Sequence, residues 1–251
     1  MITRNFDRLR RKVAAHVAAD TIIQGIYWDE ASQSGCFIGC LAHDDDPAAN
    51  EAEYGLPVMV QRIAENIFEA LPAADAKVFF AALPDAVGCD GKGLSRVGWQ
   101  FLAAELRSLP PQAADIQEVI DPVIAGMDRL ANGQDWPAAT AKAAAKATAK
   151  AAAKAAANAA ANANAANAAN AAKAAANAAY AANAAANAAN AANAYAARAA
   201  WADNPYAAHA ANAATAATAN AAANAANAPR AVVRLRQRDL LLQLISEAPI
   251  A

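Results

Sequence analysis

The sequence predicts an all-α protein: an N-terminal helical globule, long alanine-rich helices folded as a hairpin, and a C-terminal amphipathic helix. Three observations predict it. Apolar residues recur at helical spacing through most of residues 4–136. Residues 138–228 comprise 91 positions, of which 59 are alanine, with no glycine and with Pro205 as the single proline. After Pro229 the run Val232, Val233, Leu235, Leu240, Leu241, Leu242, Leu244 and Ile245 is too apolar for a free tail, so a packed helix is expected. The boundaries that follow are an acidic helical domain over 1–136, an Ala/Asn-rich region over 137–228, and a helix over 229–251 that packs back.

The elements can be taken in order. Phe6, Leu9, Val13 and Val17 define the apolar side of a helix over 4–24, and Gly25 lets it end. Ile26, Tyr27 and Trp28 form an apolar patch, and 29–34 a polar turn. Ser34 is placed to cap a short helix holding Cys36, Phe37, Ile38, Cys40 and Leu41. Asp44, Asp45, Asp46 and Pro47 read as a loop or an acidic cap. Met59, Val60, Ile63, Ile67, Phe68 and Leu71 make the clearest stripe, a helix over 57–71. Pro72 and Pro84 bracket a short helix, 85–93 is a glycine-containing loop, and 94–109 is helical up to Pro110-Pro111. Pro122 sets the start of the next helix near Asp121, and Gly133 its end.

Alanine has the highest helix propensity, and asparagine disfavours helix by only about 0.6 kcal/mol per position. Helix is therefore expected over 138–202 and again over 205–228, with Asn204 as N-cap and Pro205 at the first helical position. A straight helix over the first span would reach about 97 Å at roughly 1.5 Å per residue. A return toward the globule favours a hairpin over a stalk. A partly helical tail and an asparagine-stacked β-solenoid are the competing forms.

Charge is divided unevenly. Residues 1–137 hold 11 Lys/Arg against 20 Asp/Glu, 138–228 hold 6 against 1, and the remainder 4 against 2. An acidic globule and a basic arm can attract one another within one molecule or between copies, so self-association is one expectation. The arm's charge is too sparse a footprint for nucleic acid. No span suits a bilayer. Residues 1–20 read as a basic helix rather than a secretory signal, and three cysteines fit a reducing compartment, so the cytoplasm is expected.

Cys36, Cys40 and His43 lie at i, i+4 and i+7, which on a helix is one face. Thiolate and imidazole are zinc ligands, and His16, Asp20 or Glu65 could supply a fourth. Against this, Cys36 and Cys40 also fit as small buried apolar residues with His43 at an exposed helix end. His16 and Asp20, four apart, could be a carboxylate-oriented base or a solvated surface pair. Asp44, Asp45 and Asp46 could hold a cation or simply be hydrated. Gly88, Gly91 and Gly93 do not match a phosphate-binding fingerprint. Cys89 is a candidate for oxidation.

Tyr27-Trp28, the segment Gly35-Cys36-x-x-Gly39-Cys40-x-x-His43, Glu53-Tyr54-Gly55-Leu56-Pro57, Arg62, Glu65, Phe68-Glu69 and Leu71-Pro72 together resemble a family of bacterial and phage-borne proteins. That family joins such an N-terminal domain to an alanine-rich helical region and a leucine-rich end. The resemblance implies architecture and no mechanism. The alanine-rich half is also similar to immunity proteins of bacterial toxin systems. The function expected is a non-enzymatic helical interaction or scaffold protein with a protein partner, prophage-encoded or immunity-like. The alternative is a metal-binding module or metal-dependent enzyme built on Cys36, Cys40 and His43, with zinc as the ion.

Overall fold

The computed structural model describes residues 2–109, 114–137, a few helical positions between 139 and 147, and 230–250. The regular structure among these residues is helical apart from one short antiparallel pair and three isolated bridges, with turns and irregular segments between. The helices expected over 138–202 and 205–228 lie, but for those first few positions, outside the described residues. The chain divides into two compact units, one formed by 1–101 with 231–251 and the other by 102–230.

In the first unit, α1 spans Phe6–Ala19, shorter than its apolar pattern predicts. It stops because Asp20 adopts a left-handed conformation (φ 53°), and its backbone N–H closes on Val17 O at 3.3 Å. Leu9, Val13 and His16 are buried, whereas Val17, assigned to the apolar stripe, is 44% exposed. Strands β1 (Trp28–Asp29) and β2 (Ser34–Gly35) pair antiparallel, with Trp28 opposite Gly35 and Asp29 opposite Ser34. Helix α2 covers only Phe37–Ala42. Its N-cap is Cys36 in an extended conformation, not Ser34, whose hydroxyl is paired with that of Ser32 at 2.6 Å. The backbone N–H of Ile38 instead donates to Glu65 Oε2 at 2.9 Å, so another helix satisfies this end.

Helix α3 spans Pro47–Tyr54. Asp46 caps it by accepting from the N–H groups of Ala48 and Ala49, with Pro47 in the first turn. Gly55 ends it at φ 69°, where a Cβ would lie 1.9 Å from Ile2 O. Helix α4 is Val58–Ala70 and α5 is Ala73–Val87. The short helix bracketed by Pro72 and Pro84 is corrected here: Pro84 lies inside α5. Its missing N–H frees only the Phe80 carbonyl in the last turn, and the helix closes with Gly88 N–H donating to Pro84 O at 2.8 Å.

Four rings pack at the centre of this unit. Phe37 of α2 meets Phe68 of α4 and Phe79 and Phe80 of α5, at centroid separations of 6.1, 5.4 and 5.5 Å. All four are at most 1% exposed. At about 1.5–3 kcal/mol for each fully buried large apolar side chain, this cluster is a principal source of stability. Gln61 is buried with them, yet its amide donates to Pro47 O and Leu56 O at 2.8 and 2.6 Å and accepts from Asn50 at 3.1 Å. A buried side chain so well satisfied ties α3 to α4 without a desolvation penalty.

After a 3-10 turn at Leu94–Arg96, α6 (Val97–Arg107) carries the chain out of the first unit. In the second unit α7 runs Ala114–Ala131. A start near Asp121 is corrected, because Pro122 sits within the helix. Gly126 allows the indole of the buried Trp136 to lie on α7, where a Cβ would come within 2.1 Å of the ring.

Helix α8, Arg230–Ser246, re-enters the first unit, where Leu241 and Ile245 are buried. Its end is held by Lys92. The ammonium donates to Ala86 O of α5 at 3.2 Å, to Ile245 O at 3.3 Å and to Ser246 O at 2.6 Å. The free carbonyls at two helix C-termini are thus met by one cation. Around it, Thr3 N–H donates to Lys92 O at 2.9 Å and Gly93 N–H to Pro249 O at 2.8 Å, so residues 2–4 and 249–250 share one loop. Lys92→Met takes this donor from the Ala86 and Ser246 carbonyls, while Ile245 O keeps the Ala248 N–H at 3.3 Å. It is expected to lower unfolding free energy by about 2–3 kcal/mol, measured by urea denaturation. A change within experimental error would show that the clamp contributes nothing.

Candidate functional site

The most constrained surface feature is the segment 26–28. It crosses β2 and α2 in direct backbone contact. A Cβ on Gly35 would lie 2.3 Å from Tyr27 O, and one on Gly39 would lie 1.4 Å from it. The contact is hydrogen-bonded as well as close: Cys36 N–H donates to Ile26 O at 2.9 Å and to Tyr27 O at 3.2 Å. Alongside, Ile23 N–H donates to Gly35 O and Gly35 N–H to Thr21 O. The Gly-Cys-x-x-Gly-Cys spacing therefore has a physical meaning in this fold. The glycines admit a crossing backbone, and the cysteines fill the space behind it. Cys36 and Cys40 are 1% and 0% exposed, and the Cys40 thiol donates to Gly35 O at 3.1 Å.

Held in this way, Ile26 is 50% and Tyr27 41% exposed, and Trp28 is half-buried. His43, the left-handed residue that ends α2 (φ 59°), stacks on Trp28 at 4.2 Å with 8° between planes. His16 of α1 meets both rings edge-on, and its Nε2 stands 3.3 Å from His43 Nε2. His16 Nδ1 lies 2.8 Å from Thr21 Oγ1. Trp28 Nε1 donates to Glu30 at 2.7 Å. On the far side the Arg62 guanidinium covers the Tyr27 ring at 5.8 Å, donates to its hydroxyl at 3.2 Å and pairs with Asp45 at 3.3 Å.

Burial holds both imidazoles below their ordinary range. For His16 the neighbouring His43 and Lys12 add to the effect and the Cys40 carbonyl opposes it. For His43 Lys12 adds to the effect and Glu30 opposes it. Burial, with the Asp45 charge second, raises the Tyr27 hydroxyl. The surface therefore presents neutral aromatic and imidazole rings at neutral pH, bordered by Arg62, Asp45 and Glu30.

Beneath it lies a carboxyl-thiol layer. Glu65 is 6% exposed. The Cys36 thiol donates to it, and Ile38 N–H does so from α2. Glu69 accepts from Gly25 N–H at 2.8 Å. Ligand atoms of Cys36, Glu65 and Glu69 fall within 4.8 Å of one another. Burial first, then the Glu65 charge, raises the Cys36 thiol, and burial pushes Cys40 up to about 12. Burial and the neighbouring Glu65 thus favour the thiol over the thiolate at both cysteines.

The residues singled out by spacing thus meet different partners. Cys36 is not on the α2 helix face but at its N-cap, facing Glu65. Cys40 faces Gly35 O, and His43 faces His16. Asp20 pairs with Lys77 rather than orienting His16. The acidic run is used up in structure: Asp46 caps α3, Asp45 pairs with Arg62, and Asp44 accepts from the Asp45 N–H. Cys89 is half-buried. Sequence reasoning left Trp28, Thr21 and Arg62 without roles at this surface. The Gly35/Gly39 spacing is the signal that could have found Trp28. His16 and His43 are 27 positions apart, and only the fold joins them.

Two expectations follow. Gly39→Ala forces the Tyr27 carbonyl away and should lower stability by more than about 2 kcal/mol, with loss of near-ultraviolet dichroism from the displaced rings. Wild-type stability would show that the crossing is not rigid. The second concerns Glu65, whose carboxyl burial holds at about 7 against an ordinary 4.5. Between these values the folded protein keeps a proton that the unfolded chain has released. The group's contribution to stability therefore falls as pH rises from 4.5 to 7 and is constant above. Glu65→Gln should remove this slope, gaining up to about 3 kcal/mol on wild type above pH 7. Parallel stability–pH curves for the two proteins would exclude it. No protein-family model, curated protein or solved structure matches the chain.

Proposed function

We propose that the protein is a non-enzymatic helical interaction protein whose binding surface is the Ile26–Tyr27–Trp28 crossing with His43 and Arg62. One observation carries this reading. The fold uses two glycines and a buried cysteine layer to hold large rings at the surface, where they add little to the core. Rigid aromatics beside an arginine are the usual composition of an interface hot spot. Their backbone is hydrogen-bonded to Cys36, so little ordering entropy would oppose binding. A protein partner is the occupant that suits them. The prophage or toxin-antagonist setting implied by the family resemblance belongs with this reading, as does a cytoplasmic location, which three free thiols suit. Among the described residues no helix is long and apolar enough to cross a membrane. The metal-enzyme alternative on Cys36, Cys40 and His43 has less support, since those three side chains face separate partners.

The test compares wild type with a Tyr27→Ala, Trp28→Ala double variant, with circular dichroism confirming that both are folded. A partner captured from a bacterial host should bind the variant at least about thirtyfold more weakly, the effect of losing a hot spot of about 2 kcal/mol. Equal affinity for both proteins would refute the assignment of this surface. Light scattering on the same pair tests whether a second copy is the partner.

A further inference from the structure

We propose that His16 and His43 form a two-imidazole site for a divalent first-row transition ion, zinc first among them, with the outer positions left to water. Two nitrogens that share one tetrahedral zinc at roughly 2.0–2.1 Å stand about 3.3–3.4 Å apart. His16 Nε2 and His43 Nε2 stand 3.3 Å apart.

Both rings are fixed from outside the pair. The Thr21 hydroxyl lies 2.8 Å from His16 Nδ1 and holds that edge of the ring. In the tautomer that donates Nδ1–H to this hydroxyl, Nε2 carries the lone pair that a metal needs. A ligand histidine is oriented in the same way in known metal sites, by a partner on its second nitrogen. His43 is fixed by its left-handed backbone and by the Trp28 face. His16 is 8% exposed and His43 is exposed, so the pair is closed on one side and open on the other. Two charged groups bear on it. Lys12 of α1 opposes a cation, though its ammonium is turned to Leu41 O at 2.7 Å, and Glu30 favours one. The site does not depend on the partner reading, and it excludes the thiols that spacing alone groups with His43.

The test is calorimetric titration of chelator-treated full-length protein with zinc chloride. One saturable site per chain is expected. His16→Gln or His43→Gln should weaken it by about tenfold or more, while Cys36→Ser leaves it unchanged. His43 is exposed, so its variant should stay folded, and circular dichroism checks that. Zinc should also shift both histidine ring-proton resonances. Lack of saturation at millimolar zinc, equal binding by His43→Gln, or loss in Cys36→Ser with retention in the histidine variants would each overturn the assignment.

Discussion

The backbone at residues 26–28 lies against β2 and α2 at a distance that only glycine tolerates. With the Tyr27 carbonyl filling the space where Cβ atoms of residues 35 and 39 would stand, several other features become obligatory. Cys36 must be extended to offer its N–H to this carbonyl, so α2 cannot begin before Phe37 and needs a cap from elsewhere. Glu65 supplies it, which brings a carboxyl into the core beside a thiol. Trp28 is turned outward against His43, and the ring stack covers His16. A surface of rings and a buried acid are thus two results of one close crossing.

Satisfaction of buried polar groups is the second theme. Gln61, Lys92 and Glu65 are all buried; Gln61 and Lys92 each meet backbone groups from more than one segment, and Glu65 meets the Ile38 N–H and the Cys36 thiol. An unpaired polar group in this core would be destabilising by about 1–3 kcal/mol, so such residues fix which elements meet as firmly as the phenylalanines do. Phe37 can pack against several faces, whereas the Gln61 amide can satisfy Pro47, Leu56 and Asn50 in one arrangement.

The helical class was legible because α4 repeats its apolar residues at Val60, Ile63, Ile67 and Phe68 between Pro57 and Pro72. The proline boundaries were misread at Pro84 and Pro122. A proline disfavours helix through one carbonyl and a local clash, and neighbouring packing overrides that. Two-residue strands at Trp28–Asp29 and Ser34–Gly35 have no period to detect. The candidate site was legible in its residue types and not in its grouping. Cys36, Cys40 and His43 look like ligands on one face only if a helix runs through all three, and α2 is too short for that. The i, i+4 glycines carried the reliable information.

The first unit is discontinuous along the chain, since residues 231–251 complete what residues 1–101 begin. During synthesis two of the three carbonyls that meet Lys92, those of Ile245 and Ser246, therefore follow the alanine-rich stretch. A chain that stopped before Arg230 would leave Lys92 and the Phe37 core without their covering helix. The closing helix thus makes the folded state of the first unit depend on synthesis continuing through everything that separates its two parts.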